Sequence, residues 1–164
     1  MELALMRLPV YIASLLLAGL AVHGVADELK PFTTDGCTFW PEGPPGRPNL
    51  WRHCCVAHDL AYWQGGSQTQ RLAADQALKS CLRDAHSALV ASHVYWNVRI
   101  GGAAYWPTGF RWGYGWPYWQ DGWWRGYALP TPEQQVQISQ LLPDALRLVE
   151  EDARLNPPPM AGDE

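Results

Sequence analysis

Cys54-Cys55-Val56-Ala57-His58-Asp59-Leu60-Ala61-Tyr62 is the stretch on which the reading of this chain turns. Adjacent residues on a helix point about 100° apart, so two neighbouring cysteines must each reach a different element. Cys37 stands in the loop before the stretch and Cys81 in the segment after it. One bridge to each is the simplest solution, and spacing alone does not choose which of Cys54 and Cys55 takes which partner. His58 falls one helical turn from both Cys54 and Tyr62, on a face held by a covalent tie and a phenol. Neighbouring His and Asp are ordinary in helices. A His on a disulfide-pinned helix beside a carboxylate, below a Gly/Pro-rich loop, is placed to act as a general base near a metal.

The local pattern makes the stretch helical. Apolar residues from Leu50 recur at helical spacing, so a helix is predicted over Leu50–Gln64, with Asn49 as N-cap and Gly65-Gly66 as its stop. Ser67-Gln68-Thr69-Gln70 has capping-box form and opens a second helix predicted to run on through Ala91. Leu72, Leu78, Cys81, Leu82, Ala85 and Leu89 are its expected buried stripe. The short Gly-Gly link predicts an antiparallel pair. Upstream, four prolines between Pro41 and Pro48 block both helix and ladder. Downstream, Thr131-Pro132-Glu133-Gln134 opens an amphipathic helix expected to break at Pro143, with Asn156–Glu164 as a disordered tail.

Bulk properties narrow the function classes. Among 164 residues, 12 Lys and Arg face 16 Asp and Glu, a net charge of −4. That balance gives no basic face for nucleic acid. Arg7 precedes an uncharged run from Leu8 to Ala26 that ends in small residues before Asp27-Glu28. This pattern reads as a cleaved export signal, with an uncleaved membrane anchor as the alternative. The chain is then expected in the periplasm or outside the cell, where an even number of cysteines pairs as disulfides. Zinc is disfavoured, because no cysteine pair shows the two-to-four-residue gap of about a zinc knuckle.

Taken together, Cys-Cys-x-x-His-Asp-x-x-Tyr, the upstream Asp35-Gly36-Cys37 and the downstream Asp75-x-x-x-x-x-Cys81 resemble the secreted phospholipase A2 family, in a divergent bacterial form. The resemblance spans residues 35–82. It implies bridges Cys37–Cys55 and Cys54–Cys81. It implies His58 as the base that activates water, Asp75 as the carboxylate orienting it, and Tyr62 as the hydroxyl steadying Asp75. Calcium is the implied cofactor, held by Asp59 and the carbonyls of Gly36, Thr38 and Trp40, and a phospholipid membrane surface is the implied partner. The chain departs from the family in two places. Thr38-Phe39-Trp40-Pro41-Glu42-Gly43 replaces a glycine-rich loop, so Asp35 or Glu42 could supply an oxygen instead. Ala61 stands where many animal members have a cysteine.

The fold expected is mainly α: two antiparallel disulfide-linked helices with an N-terminal metal-binding loop, a Trp/Gly-rich irregular segment and a C-terminal helix. The organisation is residues 1–26 as signal peptide, 27–102 as phospholipase A2-like core, 103–130 as aromatic accessory segment, 131–155 as amphipathic helix and 156–164 as tail. The accessory segment has two readings, rings packed on the helices or rings at a bilayer interface, where Arg99, Arg111 and Arg125 could meet lipid phosphates. His53, His86 and His93 read as structural or solvated. Ser80 and Ser87 lack a nucleophile elbow. The function expected is calcium-dependent hydrolysis of a phospholipid acyl ester. The alternative is a catalytically silent relative that binds or builds at the cell envelope, and a third possibility is aromatic insertion into membranes without need of His58.

Overall fold

A computed structural model describes residues 28–120 and 122–160, so the export segment and the last residues of the tail lie outside the described residues. Four helices follow in order: α1 Arg52–Gln64, α2 Gln68–Ala85, α3 Ala88–Gly101 and α4 Pro132–Leu155. A two-residue antiparallel hairpin, β1 Trp119–Gln120 with β2 Trp123–Trp124, interrupts the irregular stretch before α4. The chain is therefore mainly helical.

Pairings between α1 and α2 run in opposite senses. Cys54 meets Cys81, His58 meets Asp75 and Tyr62 meets Arg71, which makes the helices antiparallel. The bridges are Cys37–Cys55 and Cys54–Cys81. Around them Trp51, Leu78, Leu82, Ala91 and Val94 form a buried cluster. Gly65 and Gly66 both take positive φ where α1 stops, and Ser67 closes the full capping box that opens α2.

Three local expectations change. α1 begins at Arg52 with Trp51 as N-cap, because Asn49 turns the chain at φ 62° and the Trp51 backbone N–H donates to Glu42 O at 2.9 Å. The long second helix is two helices. Ser87 is extended and its hydroxyl accepts from Val90 N, restarting the chain as α3. Leu89 consequently belongs to α3 and is exposed rather than part of the α2 stripe, and Leu72 also faces outward. α4, in contrast, is continuous through Pro143. Pro143 and Ser139 are both exposed, so the carbonyl that loses its i+4 donor faces water.

The aromatic segment docks on the C-terminal end of α1. The last carbonyls of a helix lack intrahelical partners. Here Gly113 N donates to Tyr62 O, Gly115 N to Trp63 O, Trp116 Nε1 to Gln64 O and Trp112 Nε1 to Gly66 O. Trp112 and Trp116 are buried, and Trp63 joins Trp116, Leu29, Phe32 and Ile138 in a cluster under α4. Trp106, Trp119, Trp123 and Trp124 remain exposed. Arg111 does not reach out to solvent: it is buried and donates to the carbonyls of Trp112, Gly113 and Trp116. Arg125 is buried too, with Gln134 and the Trp116 ring as neighbours.

Candidate active site

Asp75 is the centre of the site and is fully buried, 0% exposed. Its Oδ1 accepts from His58 Nε2 at 2.9 Å and from the Tyr62 hydroxyl at 2.7 Å. Its Oδ2 accepts from Arg99 Nη1 at 2.6 Å, and Arg71 Nε lies 3.7 Å away. Burial works to raise the Asp75 carboxyl, but the hydrogen bonds from His58, Arg99 and Tyr62 outweigh it and hold the group below the usual carboxylate range. Asp75 is therefore an anion. Burial and that negative charge push the Tyr62 phenol well above its ordinary value, so it remains a protonated donor.

Helix spacing produces this convergence. His58 and Tyr62 are i and i+4 on α1, with ring centroids 4.1 Å apart, and Arg71 and Asp75 are i and i+4 on α2. Arg71 ties the two sets together. It donates to Tyr62 Oη at 3.0 Å, to Tyr127 Oη at 2.5 Å, and to the carbonyls of Val98 and Arg99 at 2.8 Å. The end of α3 is closed tightly over Tyr62: a Cβ on Gly102 would lie 2.6 Å from the ring.

His58 and Asp59 open onto a cleft of ≈ 330 Å³. Leu78, Val94, Val98 and Phe110 give it apolar walls, and Gly36, Thr38 and Trp40 line it from the loop. With Nε2 donating to Asp75, Nδ1 is the ring nitrogen that has no partner among the described residues. Phe39, 93% exposed, stands at the rim with its ring edge-on to Phe110.

Asp59 behaves differently from Asp75. Its Oδ2 accepts from the Thr34 hydroxyl at 2.7 Å, and no cation of the described residues reaches it within ion-pair distance. Burial pushes this carboxyl up to about 7, against the hydrogen bond from Thr34. A half-buried carboxylate with no cation in ion-pair contact, beside a loop, is a donor suited to a hard metal ion. The loop carbonyls add to this. Cys37, Pro41 and Glu42 use theirs to accept from Trp40 N, Trp51 Nε1 and Trp51 N. Those of Gly36, Thr38 and Trp40 accept none among the described residues.

Asp35 Oδ1 accepts from the Thr38 hydroxyl, which leaves Oδ2 without a partner among the described residues, while Glu42 pairs with Arg52. His53 lies 3.5 Å and 3.6 Å from the sulfurs of Cys54 and Cys81, but those sulfurs are bonded to each other and do not ligate metal. His86 and His93 pack on Trp51 and Trp40, a structural role.

The sequence reading brought His58, Asp75, Tyr62 and Asp59 to one place and missed three residues. Arg71 had a signal, the i, i+4 spacing to Asp75. Thr34 and Arg99 had none. Arg99, an expected phosphate contact at a lipid surface, is turned onto Asp75 instead. No helix among the described residues is long and apolar enough to cross a membrane. Comparison of the chain with protein-family models, curated proteins and solved structures finds no match.

Proposed function

We propose that this chain is a calcium-dependent lipid esterase of phospholipase A2 type, exported and acting on phospholipid at a membrane surface. The observation that carries the proposal is the pairing of His58 Nε2 with a buried, anionic Asp75 while Nδ1 stays unpartnered in a cleft shared with Asp59. A base must be held in one tautomer with its free lone pair toward the substrate, and this arrangement meets that need.

In this reading, His58 Nδ1 takes a proton from water as the water attacks an acyl ester carbonyl. Asp75 holds the ring and stabilises the imidazolium that forms. Tyr62 and Arg99 keep the carboxylate fixed on both oxygens. The proton then passes from His58 to the departing alkoxide. Leu78, Val94, Val98 and Phe110 give the acyl chain an apolar wall, and exposed Phe39 at the rim suits contact with lipid. The donor set of Asp59 with the carbonyls of Gly36, Thr38 and Trp40 fits calcium, an ion that prefers oxygen ligands and would supply charge for the developing oxyanion. Two disulfides fit an oxidising compartment.

The test is fatty-acid release from phospholipid vesicles by the purified protein, with calcium or with EGTA, alongside His58→Gln. Release that needs calcium and is lost in the variant is expected. Release that persists in EGTA or in the variant rules out the mechanism. Vesicle binding with no release under any condition points to a silent scaffold.

A further inference from the structure

Arg52, in the first turn of α1, joins the loop to the C-terminal helix. Its Nε lies 3.1 and 2.9 Å from the two carboxylate oxygens of Asp152, and Nη2 lies 2.7 Å from Oδ1. Nη1 donates to Glu42 Oε1 in the loop. All three side chains are largely shielded from water. A two-pronged arginine–carboxylate contact of this kind fixes geometry as well as charge. Nothing in the catalytic reading uses it.

The contact bears on the cleft through Gly36. This residue has φ 81°, and a Cβ placed on it would collide with both Glu42 Oε1 and Arg52 Nη1. The guanidinium is thus packed directly against the loop backbone. Gly36 N donates to Thr34 Oγ1 at 3.1 Å, and that hydroxyl in turn donates to Asp59. Trp51 completes the enclosure, with N bound to Glu42 O and Nε1 to Pro41 O. An unbroken chain of contacts runs from Asp152 through Arg52 and Gly36 to Asp59.

We propose that Glu42, Arg52 and Asp152 form a clamp by which α4 sets the backbone of the loop over residues 34–42, making Asp152 a positioning residue for the cation site at Asp59. The second half of this statement rests on the calcium reading; the first half does not. Loosening α4 near its C-terminal end would therefore slacken the loop.

The full chain as Asp152→Asn keeps the size of the side chain and removes its charge. Glu42→Gln tests the loop side of the same clamp, and Glu150→Gln, exposed on α4, is the control. Amide hydrogen exchange on metal-free protein reads the loop directly. Exchange at Trp40 and Trp51 is expected to quicken about tenfold or more in the two clamp variants while the amides of α2 keep their protection. Calcium affinity, by titration calorimetry, should weaken about tenfold, the usual cost of disturbing what supports a metal ligand. Unchanged exchange in a folded Asp152→Asn overturns the clamp. Faster exchange with unchanged calcium affinity overturns the positioning role. A wild-type chain that binds no calcium defeats the functional reading, and the exchange data still decide the clamp.

Discussion

Arg99 Nη1 lies 2.6 Å from Asp75 Oδ2, while His58 and Tyr62 share the other oxygen of the same carboxylate. A buried anion is thereby held from two helices at once, α1 supplying hydrogen bonds on the catalytic side and α3 the nearest positive charge. Arg99→Gln keeps a hydrogen-bond donor but leaves the carboxylate without its nearest cation. Breaking such a buried pair costs about 3–5 kcal/mol, and the partial exposure of Arg99 with Arg71 still nearby puts the expectation at the low end. Urea unfolding measures it; a loss under about 0.5 kcal/mol, within the range of ordinary surface changes, would show that Asp75 does not depend on Arg99.

Asp59 and Asp75 should leave opposite marks on the pH dependence of stability in metal-free protein. The folded value of Asp59 is about 7 against an ordinary 3.8. Between those values the folded chain holds a proton that the unfolded chain has released. Stability therefore falls as pH rises from about 4 to about 7, by at most about 1.4 kcal/mol per unit, and levels off above. Asp75 is held low, so its contribution is present above the unfolded value and is lost as pH falls through the folded one. Asp59→Asn should flatten the upper window and leave the acid limb in place. Thermal melts across pH in EGTA separate the two, and an upper window that keeps its slope in the variant argues against a raised Asp59 carboxyl.

Tyr62→Phe removes a hydroxyl that both donates to Asp75 and accepts from Arg71, with the ring still packed on His58 and Trp112. Two buried groups lose a partner, for a stability cost of about 1–3 kcal/mol. If about 1.4 kcal/mol of that is felt in the transition state, kcat falls about tenfold. Steady-state kinetics on a soluble short-chain ester would detect it. An undiminished kcat would remove Tyr62 from the catalytic network and leave it a packing residue.

Gly102→Ala tests how closely the end of α3 is pressed on the site. The new methyl would stand 2.6 Å from Tyr62 Cε1, 2.8 Å from its hydroxyl and 2.9 Å from Val98 O. Ring and backbone cannot both keep their places, so a loss of about 1–3 kcal/mol with reduced activity is expected. A variant as stable and as active as the parent would mean that α3 is free to lift.

The parts of this molecule that were legible in the sequence are those written in local chemistry. Ser67 with Gln70 and Thr131 with Gln134 announce helix starts because a capping box closes within four residues, and both form as the pattern requires. His58, Asp59 and Tyr62 share one helix, so their relation follows from its pitch. The break at Ser87 was hidden because the residues on both sides are good helix formers, and one hydroxyl decided between continuing and restarting. Pro143 misled in the other direction, since an exposed site tolerates a proline that a buried one would not. Arg99, Thr34 and Asp152 were invisible for a further reason. Their partners lie 24, 25 and 100 positions away, and no periodicity spans such distances.

Arg71 gives the aromatic segment a meaning that its composition does not. One guanidinium grips Tyr62 on the catalytic side and Tyr127 on the other, and Tyr127 is braced by Tyr105 in turn. Anyone seeking a minimal version of this protein would be tempted to cut after Gly102, keeping both disulfides and all of His58, Asp59 and Asp75. That fragment would end its first helix on bare carbonyls and leave a buried arginine short of a ligand. The boundary drawn by composition at residue 103 is a change of texture, and the unit that has to be inherited whole, or transplanted whole, runs across it.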